Sequence, residues 1–272
     1  MMWPALVAAS TALAFHGSGP ARQIHEVHIE VDGVRVRALC TDGRRQVVLL
    51  HGALSTADTW RPVLERLDGK IGACAYDRRG SGESLPRPQP RGWYELIDEL
   101  RRIHLALGFD DGYVVVGHSL GGLYARLYAV DRPTDLAGLV LVDPGHEDLA
   151  QRVKPGMPES EWIRLVRTRE VPNEDGVLEI DVAGRLRGTR LPDIPVTVVT
   201  ATVRRDGGGW DQRFINEAAL QVHASILQGV TSARHIPAAR SGHDVQLDEP
   251  QLVADEILRV VRSSRRSGWG AR

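Results

Sequence analysis

A serine lies at the centre of a Gly-x-Ser-x-Gly motif, which reads Gly-His-Ser-Leu-Gly at residues 117–121. Three valines at 114–116 precede the motif and a helical stripe of leucines follows it, so we predict a tight turn between a strand and a helix. Such a turn lifts a serine hydroxyl clear of the sheet, and the flanking glycines let the two elements approach each other. The motif therefore predicts Ser119 as a nucleophile that attacks a carbonyl carbon.

A serine nucleophile needs a base to take its proton, and the histidine in the best position is His243. It lies in a loop between a predicted strand near 232–236 and the last predicted helix, which puts it at the same sheet edge as the serine. A carboxylate must orient the imidazole, and two candidates remain open. Asp143 directly follows the predicted strand 139–142, whereas Asp206 lies in a longer loop before three glycines, so the positions favour Asp143.

The tetrahedral intermediate of acyl transfer carries an oxyanion, which needs two N–H donors. We expect one donor to be the backbone N–H of Leu120, directly after the serine. The other is expected from Ala53, in the loop after the predicted strand 47–50. His51 opens that loop and is expected to orient it by hydrogen bonding. Because the serine, the histidine and the two N–H groups supply the nucleophile, the proton carrier and the anion-binding site, the sequence implies no metal and no organic cofactor.

The elements that carry these residues alternate between short apolar runs and helical patterns. Unbroken apolar runs are typical of strands that are covered on both faces of a parallel sheet. The runs lie at residues 47–50, 71–76, 113–116, 139–142 and 196–200. Two alternating segments joined by Asp32-Gly33 precede them and predict a hairpin. The chain is therefore predicted to form a mostly parallel, doubly wound α/β sheet with an antiparallel hairpin at its start.

The predicted organisation has a core at residues 23–143 and 192–264. Residues 144–191 separate two predicted strands, contain four prolines and two short helical patches, and are predicted to form a small helical lid. Residues 1–22 are interpreted as a leader without the positive charge usual in export signals, so a cytoplasmic location is favoured over export. Residues 265–272 are predicted to be a basic tail.

Composition and charge exclude several classes of protein. The chain has 272 residues, 42% of them hydrophobic, and a formal net charge of -1, so no strong field favours a nucleic-acid partner. The apolar run at 5–14 is too short for stable membrane insertion. Cys40 and Cys74 form neither a disulfide framework nor a zinc site. Buried free thiols are expected for both, with a single bond as the alternative if their strands are neighbours. The sequence sets no oligomeric state.

Four motifs, in this order, resemble the α/β-hydrolase superfamily. They are His51-Gly52 after a strand, Asp-x-x-Gly-x-Gly-x-Ser at 77–84, the serine motif at 117–121, and Gly242-His243. The resemblance covers most of residues 24–262 and implies that superfamily's fold. The chain is also similar to bacterial members with Val-Asp-x-x-His after the sixth strand, here at 142–146. Some members carry the acid there, which supports Asp143, and Arg204 occupies the superfamily's more usual acid position.

The resemblance and the serine together predict a serine hydrolase of carboxylesterase type. Its partner is a small acyl substrate, an ester, lactone, thioester or amide, which forms an acyl-enzyme intermediate. Dehalogenases and epoxide hydrolases of the superfamily use an aspartate nucleophile, which Ser119 replaces here. One alternative is the same fold acting as a perhydrolase, a lyase or a ligand-binding protein. A remote alternative is a dinucleotide-binding oxidoreductase, but that interpretation needs a glycine at Ser119 and leaves His243 without a role.

Overall fold

The computed structural model describes residues 24–85, 89–203 and 211–266, and these contain one eight-stranded sheet. The strands are β1 (His25–Val31), β2 (Val34–Cys40), β3 (Arg45–Leu50), β4 (Gly72–Tyr76), β5 (Tyr113–His118), β6 (Leu136–Val142), β7 (Val196–Ala201) and β8 (Ala233–Ala238). Their order across the sheet is β1-β2-β4-β3-β5-β6-β7-β8. The β1–β2 and β2–β4 pairs are antiparallel, and every later pair is parallel. The predicted mostly parallel sheet with an antiparallel start is confirmed.

The hairpin at the start of the sheet turns at the predicted residues. Val31 pairs with Val34, so the connection consists of Asp32 and Gly33 alone. Both have positive φ, at 52° and 72°. A two-residue turn of this type needs positive φ at both positions, which aspartate tolerates and glycine adopts freely.

Helices cover both faces of the sheet and explain why the apolar runs are unbroken. The helices are α1 (Arg61–Leu67), α2 (Trp93–Ala106), α3 (Leu120–Asp131), α4 (Leu149–Val153), α5 (Glu159–Thr168), α6 (Glu179–Leu186), α7 (Gln212–Ser225), α8 (Val245–Asp248) and α9 (Pro250–Arg266). In β3, Val48 and Leu50 pack with α2 and α3, whereas Val47 and Leu49 pack with α1 and α9. Because successive strand residues face opposite sides, each side needs its own apolar residues.

The segment from 144 to 191, between β6 and β7, contains helices in both predicted patches. They are α5 and α6, and α4 precedes them. No residue of α5 is buried, whereas α6 buries Val182, Ala183 and Leu186. The segment is therefore attached to the core through α6 rather than through α5.

The two cysteines form a disulfide, so the expectation of free thiols is wrong. Cys40 of β2 and Cys74 of β4 lie opposite each other in an antiparallel pair, with their Cα atoms 4.2 Å apart. The strand between them in sequence, β3, lies on the other side of β4. The order of strands along the chain therefore does not reveal that β2 and β4 are neighbours.

The predicted leader lies outside the described residues, as does most of the predicted basic tail. Arg265 and Arg266 belong to α9, so this helix continues two residues beyond the predicted end of the core. Among the described helices, none is both long enough and apolar enough to cross a bilayer.

Candidate active site

Ser119 lies in the predicted turn, between the end of β5 and the start of α3. Its backbone has φ 53° and ψ -118°, a conformation that residues with a Cβ atom rarely adopt. Its N–H donates to the Val142 carbonyl at 3.2 Å, and its carbonyl accepts from Gly145 N at 2.9 Å. Backbone hydrogen bonds to the end of β6 and to the loop after it thus hold the strained residue in place.

Glycines are required at both ends of this turn. A Cβ atom added at Gly117 would lie 2.3 Å from the Gly121 carbonyl oxygen. One added at Gly121 would lie 2.4 Å from the His51 carbonyl oxygen. The first glycine therefore lets β5 and α3 approach, and the second lets α3 approach residues 51–54, which we call the β3 loop.

His243 and Asp143 come together with Ser119 from distant parts of the chain. His243 Nε2 lies 2.9 Å from Ser119 Oγ, and His243 Nδ1 lies 2.6 Å from Asp143 Oδ2. A carboxylate only accepts, so Nδ1 is the protonated nitrogen and donates to it. Nε2 is then the acceptor for the hydroxyl of Ser119, as general-base chemistry requires.

Asp143 directly follows β6, and its carboxylate is almost fully buried. Its Oδ1 accepts the N–H of Ala201 at 3.1 Å, while Oδ2 accepts from His243. The backbone at Asp143 has φ 40°, so this residue, like Ser119, has a positive φ that non-glycine residues rarely adopt. The other acid that the sequence left open, Asp206, lies outside the described residues.

The two donors predicted for the oxyanion belong to two elements that meet at the serine, α3 and the β3 loop. Leu120 is the first residue of α3, and Ala53 is in the β3 loop. Within the part of the chain that the structure describes, neither backbone N–H has a hydrogen-bond acceptor. A Cβ atom added at Gly52 would lie 3.3 Å from the Cβ of Ser119, so the β3 loop is in contact with the serine. Ala53 and Leu120 therefore stay the predicted donors, with N–H groups that no described acceptor occupies.

His118, which precedes Ser119 in the serine motif, contacts the loop of His243. Its Nε2 donates to the His243 carbonyl at 2.8 Å, and its Nδ1 accepts from Gln246 Nε2 at 3.3 Å. Burial, and next the charge of His243, lower the pKa of His118 to about 4. His118 is therefore neutral at physiological pH and holds the backbone of the loop that carries His243.

A chain of hydrogen-bonded side chains supports the loop after Asp143. His223 Nε2 donates to the Pro144 carbonyl at 2.8 Å, and its Nδ1 accepts from Thr200 Oγ1 at 2.8 Å. Thr200 in turn accepts from His235 Nε2 at 2.8 Å. No local motif marks these residues, because the contacts join β7, α7 and β8.

Side chains that could bind a metal ion form a cluster that does not include Ser119, His243 or Asp143. In the described residues, the one such group is Glu26, His28 and Glu83, and all three are exposed. Arg37 Nε lies 2.9 Å from Glu26 and 3.7 Å from Glu83. A guanidinium thus already pairs with both carboxylates.

Comparison with known proteins identifies a family model, a relative and solved structures that are similar to this chain. The family model described as alpha/beta hydrolase fold matches residues 46–250. The uncharacterized protein YqjL of Bacillus subtilis (strain 168) is 27% identical over 210 residues, which cover 76% of this chain and 79% of YqjL. An esterase from Thermogutta terrifontis has the same fold, with a TM-score of 0.62 and 21% identity. The match covers 88% of this chain and 99% of the esterase. The carboxylesterase CesB of Bacillus subtilis also has this fold, with a TM-score of 0.60 and 13% identity. That match covers 89% of this chain and 92% of CesB.

Proposed function

Because the chain belongs to the alpha/beta hydrolase fold family, we propose that it is a serine hydrolase that cleaves an ester or a related acyl bond. The observation that carries the proposal is the pair of hydrogen bonds at His243, from Nδ1 to Asp143 and between Nε2 and Ser119 Oγ. A serine whose hydroxyl meets an imidazole oriented by a buried carboxylate is equipped for nucleophilic attack.

In the first half of the reaction, Ser119 Oγ attacks the carbonyl carbon while His243 Nε2 takes the hydroxyl proton. The carbonyl oxygen becomes an oxyanion and accepts from the N–H groups of Ala53 and Leu120. When the intermediate collapses, His243 returns the proton to the departing alcohol, thiol or amine. The acyl group then remains on Ser119 as an ester.

In the second half, a water molecule attacks the acyl carbon. His243 takes a proton from this water, and the same two N–H groups bind the second oxyanion. Collapse releases the carboxylic acid and returns the proton to Ser119 Oγ. The substrates compatible with this sequence are esters, lactones, thioesters and amides.

Residues 144–191 act as a lid in this proposal, and we call them the lid segment. The segment begins directly after Asp143, so its first residues share the loop that carries the acid. Farther along, Glu174 accepts the N–H of Leu54 at 2.8 Å. The lid segment therefore contacts the β3 loop, which supplies one of the proposed oxyanion donors.

The test combines a covalent probe with a serine substitution. A fluorophosphonate should label Ser119, and a short p-nitrophenyl ester should be turned over with a burst of p-nitrophenol. Ser119→Ala should abolish labelling and lower turnover at least about 10,000-fold. Ser264→Ala, in α9, is the control and should retain both activities.

Labelling that persists in Ser119→Ala would reject this serine as the nucleophile. A folded wild-type protein that neither reacts with the probe nor hydrolyses any acyl substrate would favour the ligand-binding use of the fold.

A further inference from the structure

Arg78 is a buried cation that lies against the β3 loop. It follows β4 in the Asp-x-x-Gly-x-Gly-x-Ser stretch, and its side chain is 1% exposed. Its terminal nitrogens donate to two carbonyl oxygens of the β3 loop, that of His51 and, at 3.3 Å, that of Gly52. Its Nε donates to both carboxylate oxygens of Asp175, at 3.0 and 3.2 Å. One guanidinium therefore joins the β3 loop to the lid segment.

The ion pair keeps Arg78 charged in the interior. Burial lowers the pKa of Arg78, but the charge of Asp175, the hydrogen bond to it and the charge of Glu174 together outweigh this effect, so the net pKa is raised. Tyr124 also stacks against the cation, with its ring centroid 5.3 Å from the guanidinium carbon.

The carboxylate next to Asp175 contacts the same loop directly. Glu174 is 5% exposed, accepts the N–H of Leu54, and lies 3.7 Å from the Arg78 guanidinium. The turn that carries both acids is itself fixed, because Asn173 Oδ1 accepts the N–H groups of Asp175 and Val177 at 3.0 and 3.2 Å. The lid segment therefore offers a rigid acidic turn to the β3 loop.

Holding the Gly52 carbonyl also orients the N–H of Ala53. Both groups belong to one planar trans peptide, in which the C=O and the N–H point in opposite directions. The Gly52 oxygen accepts from Arg78 and, at 2.7 Å, from His51 Nδ1. His51 Nε2 accepts the backbone N–H of Arg78 at 3.2 Å, which closes the network. The direction of the proposed oxyanion donor is thus set by groups beneath the loop.

Stability alone does not account for this arrangement. Removing a guanidinium and two carboxylates from water is unfavourable for each ion, and proteins in which apolar residues replace a buried ion pair are often no less stable. We propose that Arg78 is a positioning residue: with Asp175 and Glu174 it joins the lid segment and the β3 loop into one unit and aims the Ala53 N–H at the oxyanion. The inference rests on the proposed function above.

The test compares Arg78→Met with Asp175→Asn and with a control ion pair. Arg101→Met is the control, because Arg101 pairs with Asp135, which precedes β6 at the opposite edge of the sheet from Ser119. We expect Arg78→Met to lower kcat for a p-nitrophenyl ester by about 10- to 100-fold, because a misplaced donor loses transition-state binding. KM should change by less than about 2-fold, and fluorophosphonate labelling should slow in parallel with kcat. Arg101→Met should leave all three unchanged.

The possible outcomes separate this inference from the proposed function. Ser119-dependent labelling in the wild type, together with an unchanged kcat in folded Arg78→Met, would overturn the inference alone. A raised KM with unchanged kcat would do the same, since it indicates a role in substrate binding. If circular dichroism shows that Arg78→Met does not fold, Asp175→Asn is used for the test instead. A lowered kcat in Asp175→Asn supports the inference, and an unchanged kcat overturns it. A wild type without Ser119 labelling would overturn both.

Discussion

At Asp143, each carboxylate oxygen has its own partner, Ala201 N–H for one and His243 Nδ1 for the other. The carboxylate therefore cannot rotate without losing a buried hydrogen bond, which costs about 1–3 kcal/mol. His243, by contrast, has a half-exposed side chain, and its backbone is held by His118. The carboxylate is therefore fixed and buried, whereas the imidazole is accessible from outside the protein.

Replacing the acid tests the orientation that we assign to the imidazole. In Asp143→Asn the side-chain NH2 group no longer requires a proton on Nδ1, so His243 can present the wrong tautomer to Ser119. We expect kcat for a short p-nitrophenyl ester to fall about 10,000-fold with little change in the folded structure. Steady-state kinetics and circular dichroism provide the measurement. Asp206→Asn is the comparison and should remain close to wild type; a loss confined to that variant would make Asp206 the acid instead.

Ser119, His243 and Asp143 could be predicted because each has a local signature: a glycine motif, a Gly-His pair before a helix, and a strand end. The residues that support them have none. His118 meets the His243 loop across 125 positions of sequence, and His223 meets Pro144 across 79. Such contacts depend on how loops pack after the sheet has formed, so residue type and spacing do not reveal them.

At the scale of elements, parallel pairing brings the proposed site together. The β3 loop, Arg78, Ser119 and Asp143 follow four strands that are mutually parallel. Since parallel strands end at one edge of a sheet, the apolar runs were sufficient to predict where these residues meet. The order of the strands in the sheet was not predictable, because it differs from their order along the chain: β2 pairs with β4 rather than with β3. The disulfide between Cys40 and Cys74 depends on that order.

The packing of α3 against the β3 loop can be tested at a single glycine. A Cβ atom at Gly121 would lie 2.4 and 2.5 Å from the carbonyl oxygens of His51 and Leu50, which are backbone atoms with little freedom to move. We expect Gly121→Ala to lower the free energy of unfolding by about 1–3 kcal/mol or more. It should also slow fluorophosphonate labelling of Ser119 at least about 10-fold, because the loop and the turn must separate.

Gly184→Ala is the matched control for Gly121→Ala. Gly184 lies within α6, and a Cβ atom there would meet nothing within 4 Å. Alanine should raise the free energy of unfolding by about 0.5–1 kcal/mol, because it has the higher helix propensity. Urea unfolding and labelling rates measure both variants. A Gly121→Ala protein with wild-type stability and labelling would show that the close approach of α3 is not required.

At the scale of the whole molecule, the sequence predicted the sheet and the presence of helices between β6 and β7, but not how residues 144–191 attach to the core. The pattern of residues 144–191 showed prolines, charges and two helical patches. It did not indicate that Asp175 pairs with Arg78, 97 positions earlier, in the interior. A charged residue in a sequence is normally predicted to lie at the surface. A buried ion pair between distant segments therefore cannot be predicted from residue type and spacing.

The interior also contains histidines that burial keeps neutral throughout the fold. Burial is the main cause of the lowered pKa in each case, with a nearby cation as the next cause for His51, His104 and His146. The pKa falls to about 3 for His104 and to about 4 for His118 and His146, and lies well below the usual range for His51. Since the pKa in the unfolded chain is about 6.5, the unfolded chain binds protons more readily than the folded protein.

The folded protein should therefore lose stability in mild acid. The contribution of these histidines is fully present above pH 6.5 and is lost progressively as the pH falls through 5 toward their folded pKa values of about 4 and 3. Between pH 7 and pH 5 we expect each to lower the free energy of unfolding by up to about 2 kcal/mol. Carboxylates with lowered pKa, such as Glu147 and Glu249, add their losses only below about pH 4.5. Burial raises the pKa of Asp175 and Glu179, which act in the opposite direction, so the comparison with His104→Gln is needed to isolate a histidine. Urea unfolding at pH 7 and pH 5 measures the change in the free energy of unfolding. In His104→Gln this change should be smaller by the contribution of one histidine. Equal free energies of unfolding at pH 7 and pH 5 would show that these imidazoles accept protons as readily in the folded protein as in the unfolded chain.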